Sequence, residues 1–511
     1  MKNRAGAILP TLAALAATML LLSGCAAPVP AAIESEGVGS ESARQAEAFP
    51  EIYAQEVNWH PCGADAESAA NFERALRDAG GRVDGMVCAG ITAPLDWNDP
   101  ENEATITIGT VRIPATGDAE PIGTLFSNPG GPGASGIEHT IGMAITPSYA
   151  AVQEEYDLLG FDPRGIGGSS ALTCAADSTI FELNLAACAE QDPLAASMGS
   201  AQVARDMDLI RHLLGEGRMN YAGFSYGTVI GASYVTLFPE RVGRMMLDSA
   251  WPSDWSSPLG TYQQSEAISL AIVAMLEQCS TTYGLAVCPP SDESTLNELL
   301  STLDHEPLLA SDGTTVTATT TYGYLTTALY KLPKDRVTVL DVAGRALAGE
   351  QQAIDALAAA MSGGGMKVDL SGMVVRCLSS PRDPGVMNVV RYIEEQGLPE
   401  LLGGPEINDT TLKRWIDLSC DALPDSGEDF MAFTNRSDRP VLVFGITGDH
   451  ATPYAGAVRL TEELGNARLV TLEGSGHIAS FSGHSTCADE IAIAYLLDGS
   501  LPEVGTVCQE D

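Results

Sequence analysis

Basic charge is scarce in this 511-residue chain: Lys and Arg number 27 against 67 Asp and Glu, a formal net charge of -40. A surface of that sign repels phosphate backbones and anionic lipid headgroups, which excludes nucleic acid as a partner. It suits solubility outside a cell and is compatible with cationic substrates. Long apolar runs are also missing, for after Leu22 no stretch is long and apolar enough to span a bilayer. No Cys-x-x-Cys occurs and no histidine sits at ligand spacing beside a cysteine, which argues against a zinc cluster. There is no internal repeat, and the length suits one large or two linked domains with an ample core.

The N-terminus is of another kind. Lys2 and Arg4 precede an apolar run from Ala5 to Leu22, which closes on Leu22-Ser23-Gly24-Cys25. A charged start, an apolar middle and a small-residue site mark a targeting segment rather than part of a fold. The pattern resembles a bacterial lipoprotein signal, residues 1–25, in which Cys25 is lipidated and becomes the mature N-terminus. The alternative is an ordinary secretory peptide with an unmodified cysteine. Residues 26–49, rich in Ala, Pro, Gly, Ser and Glu, read as a flexible tether. The remaining cysteines are Cys62, Cys88, Cys174, Cys188, Cys279, Cys288, Cys377, Cys420, Cys487 and Cys508. Their even number in an exported chain implies a disulfide framework, and pairing each with its neighbour in sequence is the simplest connectivity.

Gly223-Phe224-Ser225-Tyr226-Gly227 carries the chemistry. It follows a strand pattern, Met219 to Ala222, and precedes an apolar helical run from Thr228 to Phe238 that Pro239 closes. Upstream, Val203, Met207, Ile210 and Leu213 recur at helical spacing; downstream, Arg244 to Leu247 reads as the next buried strand. Alternating helix and strand is the signature of a parallel sheet with crossover helices. A serine at such a turn is a nucleophile elbow, its hydroxyl exposed on a bend that flanking glycines permit.

The groups that a serine nucleophile requires lie on other strand ends. Gly123 to Ser127 runs into Asn128-Pro129-Gly130-Gly131-Pro132-Gly133, a loop able to turn backbone N–H groups toward an oxyanion. Pro132 has no N–H, which leaves Gly131 as the first choice and Gly130 as the alternative; the second donor is the N–H of Tyr226. Tyr156 to Phe161 leads to Asp162-Pro163-Arg164-Gly165, read as an Arg–carboxylate pair bracing the site rather than as chemistry. Pro440 to Gly445 leads to Asp449, a helix runs from Tyr454 to Leu464, and the strand Ala467 to Leu472 leads to Gly476-His477. The order Ser225, Asp449, His477 is the chain order of a hydrolase triad on this kind of sheet, with His450 and His484 as competing bases.

Together the elbow, the Gly-Gly-Pro-Gly loop, Asp-Pro-Arg-Gly, Asp-x-x-Thr-Pro and Gly-His resemble the secreted tripeptidyl aminopeptidase-like branch of the α/β-hydrolases, related to prolyl iminopeptidases. The match covers about Val57 to Asp254 and Ser437 to Cys508. The resemblance implies a mostly parallel sheet with helices on both faces, a core in two parts (50–251 and 437–511) and a large, mainly helical cap insertion (252–436). It implies Ser225 as nucleophile, His477 as base, Asp449 as orienting carboxylate, peptide substrates with free amino termini, an acyl-enzyme and no cofactor. The expected location is the outer face of the cell membrane, held by the lipid on Cys25, or the medium if Cys25 is unmodified. Within the insertion, Glu266 to Leu276, Val337 to Ala360 and Val386 to Gln396 read as helices, with Gly363, Gly364 and Gly365 as a joint. The chain departs from the family pattern in three places. Cys377 is followed by Leu378-Ser379 where an acidic residue is usual two positions on, Asp248-Ser249-Ala250 replaces Asp-Gly-Val, and Ile478 replaces glycine after the histidine. A carboxylesterase on small acyl esters is the rival enzyme, and a binding lipoprotein on an inactive hydrolase scaffold is the rival of another class.

Overall fold

The central strands of this chain bury both faces, and their side chains divide between two cores with a period of two. Met245 and Leu247 enter one apolar cluster and Met246 the other; Val441 and Val443 enter the first, Leu442, Phe444 and Ile446 the second. A one-residue slip would exchange the two sets, so the register is fixed by burial worth about 1.5–3 kcal/mol per large side chain. The computed structural model describes residues 40–62, 85–174, 178, 181–362, 370–379, 385–404, 420, 423 and 432–511. The signal segment with Cys25, most of the expected tether and Gly363 to Gly365 lie outside these.

The strands are β1 (His60–Pro61), β2 (Val87–Pro94), β3 (Thr105–Ile113), β4 (Thr124–Asn128), β5 (Asp157–Phe161), β6 (Met219–Phe224), β7 (Val242–Asp248), β8 (Leu308–Leu309), β9 (Thr315–Val316), β10 (Val441–Asp449), β11 (Ala467–Gly476) and β12 (Val507–Gln509). Ten form one sheet in the order β1-β2-β3-β5-β4-β6-β7-β10-β11-β12, and β8 pairs with β9 apart from it. Pairing is antiparallel from β1 to β5 and parallel from β5 through β12. Helices Ser200–Leu213, Gly227–Leu237 and Tyr454–Leu464 contribute Val203, Ile230 and Leu460 to the first core. Helices Gly136–Ile145 and Thr486–Asp498 contribute Met143 and Tyr495 to the second. Because the strands from β5 to β12 run the same way, Asn128, Asp162, Ser225, Asp449 and His477 all fall at one edge, just at or beyond strand ends.

Between β7 and β10 the described chain is mainly helical. Helices Pro258–Thr281, Glu293–His305, Ala318–Leu329, Val337–Leu347 and Gln351–Ser362 bury Leu276, Leu296, Leu325, Leu340 and Leu357 in a cluster of their own. The expected single helix from Val337 to Ala360 is therefore two. Gly349, at φ 87, is left-handed and ends the first.

The expected tether stops short of residue 49. Glu41–Ala48 is a helix, its first turn capped by Ser40 accepting from Ala43 N–H at 3.3 Å. Arg205 holds it to the body by donating to Glu41 at 3.0 Å. The Arg–carboxylate pair also differs from expectation, since Arg164 does not pair with Asp162. It forks onto Asp206 at 2.8 and 2.6 Å with both side chains fully buried, while Asp162 accepts from Ser135 Oγ at 2.6 Å and Gly168 N–H at 2.7 Å. Disulfides join Cys62–Cys88, Cys174–Cys188, Cys279–Cys288, Cys377–Cys420 and Cys487–Cys508, the neighbour pairing. Five bridges belong to an oxidising compartment, so the folded chain is extracytoplasmic.

Candidate active site

Ser225 sits between β6 and helix Gly227–Leu237 with φ 54, a left-handed backbone that a side chain adopts only at a cost of about 1–3 kcal/mol. Its N–H donates to Asp248 O at 2.9 Å, and its carbonyl accepts from Thr228 N–H at 2.9 Å and Thr228 Oγ1 at 2.6 Å. The two glycines of the elbow are steric necessities. A Cβ on Gly223 would lie 2.5 Å from Gly227 O, and one on Gly227 would lie 2.5 Å from Asn128 O.

The glycine loop after β4 lies against this bend. A Cβ on Gly130 would stand 2.7 Å from Tyr226 N and 3.0 Å from Ser225 Cβ, so only glycine lets the two backbones meet. The N–H of Gly130 already donates to Asn128 Oδ1 at 2.9 Å, which favours Gly131 over Gly130 as the loop's donor. Tyr226 caps the following helix, and a first-turn N–H has no partner within its own helix. Its ring points away into the body, where the hydroxyl meets Ser200 Oγ at 2.6 Å and Ser379 Oγ at 3.3 Å. Burial pushes that phenol up to about 12.

Asp449 ends β10 in register with Gly476 at the end of β11, which brings the next residue, His477, over it. His477 Nδ1 lies 3.0 Å from Asp449 Oδ1 and 3.1 Å from Oδ2. The carboxylate also accepts from Ala451 N–H at 2.9 Å, Thr452 N–H at 2.9 Å and Thr452 Oγ1 at 2.8 Å. Burial alone would raise its pKa, but the His477 charge and hydrogen bond and the Thr452 N–H prevail and hold it below the ordinary carboxylate range. Ser225, Gly131 and His477 line one cavity of about 400 Å³. Neither competing histidine lines it. His450 is buried with Tyr330 edge-on at 4.4 Å, its pKa lowered by burial to about 4, and His484 Nδ1 meets Glu510 at 3.0 Å.

Several residues around the site escape a sequence reading. Thr452 was visible within Asp-x-x-Thr-Pro, but its double hold on Asp449, through N–H and Oγ1, was not. Buried Arg336, from the helical insertion, donates to Ser475 Oγ at 3.0 Å, two residues before His477. Asp248 accepts from Ala479 N–H at 2.9 Å and Ser480 N–H at 2.8 Å, and Ser249 Oγ accepts from Ile478 N–H at 2.9 Å. His139 lines the Ser225 cavity with a buried Nε2 that has no hydrogen-bond partner among the described residues.

A family model for the alpha/beta hydrolase fold matches residues 123–265, and one described as TAP-like protein matches residues 408–508. Tripeptidyl aminopeptidase from Streptomyces coelicolor is 26% identical over 93% of this chain and 88% of its own length. The chain is a tripeptidyl-peptidase-like α/β hydrolase. Two mycobacterial proteins align with this hydrolase over nearly its whole length. Serine protease Hip1 of Mycobacterium tuberculosis is 29% identical over 97% of the chain and 96% of its own length, and carboxylesterase B of the same organism is 28% identical over 98% of both.

Proposed function

We propose that this hydrolase is an exported serine aminopeptidase that releases short peptides from free amino termini through an acyl-enzyme. The observation that carries the reading is the placement of Ser225 on a left-handed elbow beside the cavity that also holds His477, itself paired with buried Asp449 at 3.0 Å. In this reading His477 takes the proton of Ser225 as the hydroxyl oxygen adds to the carbonyl carbon. The N–H groups of Gly131 and Tyr226 receive the oxyanion, and the proton passes to the leaving amine as the amide bond breaks. Water then attacks the ester with His477 again as base. Asp449 fixes the imidazole tautomer and stabilises its cation.

Residues 252–436 act as a cap that limits substrate length, and Arg336 ties that cap to the base-bearing loop. Residues 1–25 are a lipoprotein signal, with Cys25 anchoring the chain to the outer face of the membrane. The carboxylesterase reading has its own support in the carboxylesterase B relative and in Ser379, which stands where the family pattern places an acid.

Two measurements test the proposal. A fluorophosphonate probe should label the wild type and not Ser225→Ala, and the variant should lose several orders of magnitude in turnover with an unchanged melting temperature. Tripeptide anilides with free amino termini should be cleaved much faster than their acetylated forms. Turnover confined to small esters would replace the aminopeptidase by the esterase.

A further inference from the structure

The cavity beside Ser225 is walled by apolar bulk together with neutral serine side chains and two histidines. Its bulk comes from Tyr149, Phe224, Tyr330, Ile478 and Phe481, with Tyr149 stacked on Phe481 at 4.3 Å. No Asp, Glu, Lys or Arg is among its described lining residues, although the chain carries 67 acidic side chains. The nearby carboxylates sit behind the wall with their oxygens engaged. Asp248 accepts from the backbone of Ala479 and Ser480, Asp489 from Phe481 N–H, and Asp449 from His477 and Thr452.

One polar atom in the wall is unmet. His139, edge-on to Phe224 at 5.3 Å, has a buried Nε2 with no partner among the described residues. A buried polar atom without a partner is destabilising, and a ligand able to bond with it removes that cost. Burial also lowers the imidazole's pKa to about 4, so the ring is neutral at physiological pH and offers no charge to a substrate.

We propose that this cavity is the subsite for an uncharged apolar side chain on the acyl side of the cleaved bond, with His139 hydrogen-bonding the main chain of that residue. The inference rests on Ser225 being the nucleophile, as proposed above. A carboxylate entering this cavity without a counter-charge loses its hydration with nothing in return, and an ammonium regains only part of its hydration from the ring faces, whereas leucine or phenylalanine gains by burial. The main-chain amide beside the cleaved bond must desolvate too, and His139 Nε2, covered while the cavity is empty, meets it when the bound substrate displaces the side chains that cover it.

The test uses two substrate series on the purified protein: 4-nitrophenyl esters of residue X, with free and acetylated amines, and alanyl-alanyl-X 4-nitroanilides, with X as Leu, Phe, Lys or Glu. In the esters, kcat/KM for Leu and Phe should exceed that for Lys and Glu by at least about tenfold. A flat profile, or preference for a charged X, overturns the subsite. Anilide turnover reads the peptidase assignment separately: selective ester hydrolysis without anilide cleavage overturns the aminopeptidase and supports the subsite. Failure of both series overturns both. His139→Phe should raise KM about three- to tenfold with kcat unchanged, as loss of one neutral hydrogen bond to bound substrate requires. An unchanged KM overturns the role given to His139.

Discussion

His139 also makes the fold sensitive to acid, and the size of the effect follows from its burial. Desolvation lowers its pKa from 6.5 to about 4, while in the unfolded chain it titrates at the ordinary value. Between those values the unfolded state binds a proton that the folded state refuses, so stability rises with pH there and is lost as pH falls from about 6.5 toward 4. At pH 5 the difference amounts to about 2 kcal/mol, and at pH 7 to a few tenths at most. His139→Phe keeps the ring and removes the titration. At pH 7 the variant should be at least as stable as the wild type in urea, by up to about 1–3 kcal/mol, since it removes a buried polar atom that has no partner among the described residues. At pH 5 it should be about 2 kcal/mol more stable than the wild type, relative to that pH 7 difference. Working at pH 5 also stays above the isoelectric point of about 4.3, where loss of net charge would favour precipitation. Urea midpoints at the two pH values, with disulfides intact, give the double difference directly. Parallel shifts at both pH values would refute the argument, because they would mean His139 accepts its proton in the folded state.

Asp449→Asn should lower kcat by about four orders of magnitude with KM little changed, because the amide orients the wrong tautomer of His477; steady-state kinetics on an activated ester decides it. Asp206→Ala strips the buried Arg164 guanidinium of its carboxylate and should cost about 3–5 kcal/mol in urea unfolding. A loss below about 1 kcal/mol would be inconsistent with burial of the pair. Alkylation of the unreduced protein followed by mass spectrometry should label none of the ten cysteines of the five bridges. Reduction should destabilise the fold by about 2–4 kcal/mol for each bridge lost.

The sheet was legible because strands buried on both faces leave short apolar runs between turn residues, and the candidate site was legible because its members stand at strand ends. Helix Ser200–Leu213 marks where that reading stops. Val203, Met207 and Ile210 announce its apolar stripe, but Arg205, Asp206, Asp208 and Arg211 are buried as well. Periodicity assigns such residues to solvent. They are inside because each finds a partner far along the chain or one turn away: Glu41 for Arg205, Arg164 for Asp206, and Arg211 with Asp208 for each other. The partner of Arg164 could not be read from Asp-Pro-Arg-Gly, since it lies 42 residues on in a segment without a motif. Composition misled similarly at Glu41–Ala48, where small and acidic residues suggested a tether and the Arg205 contact makes a helix. His139 carried no signal, for nothing in its neighbours distinguishes a histidine facing a cavity from one facing solvent.

Two of the three departures from the family pattern turn out to be one structural feature. Ser249 and Ile478, each standing where glycine is usual, have φ 54 and 72, so the left-handed backbone is kept without the residue that adopts it freely. The two positions touch: Ser249 Oγ accepts from Ile478 N–H at 2.9 Å. A serine at 249 thus supplies an acceptor that glycine lacks, and the hydrogen bond offsets part of the strain that both side chains introduce. Beside it, Asp248 accepts from Ala479 and Ser480 N–H through its carboxylate and from Ser225 N–H, at 2.9 Å, through its carbonyl. Burial pushes the Asp248 pKa up, and these donors, with Ser480 Oγ, oppose the rise. The end of β7 therefore holds the elbow with its backbone and the loop beyond His477 with its side chains. Movement of β7 along its axis would displace Ser225 and the residues just beyond His477 together, so this strand end couples the two loops.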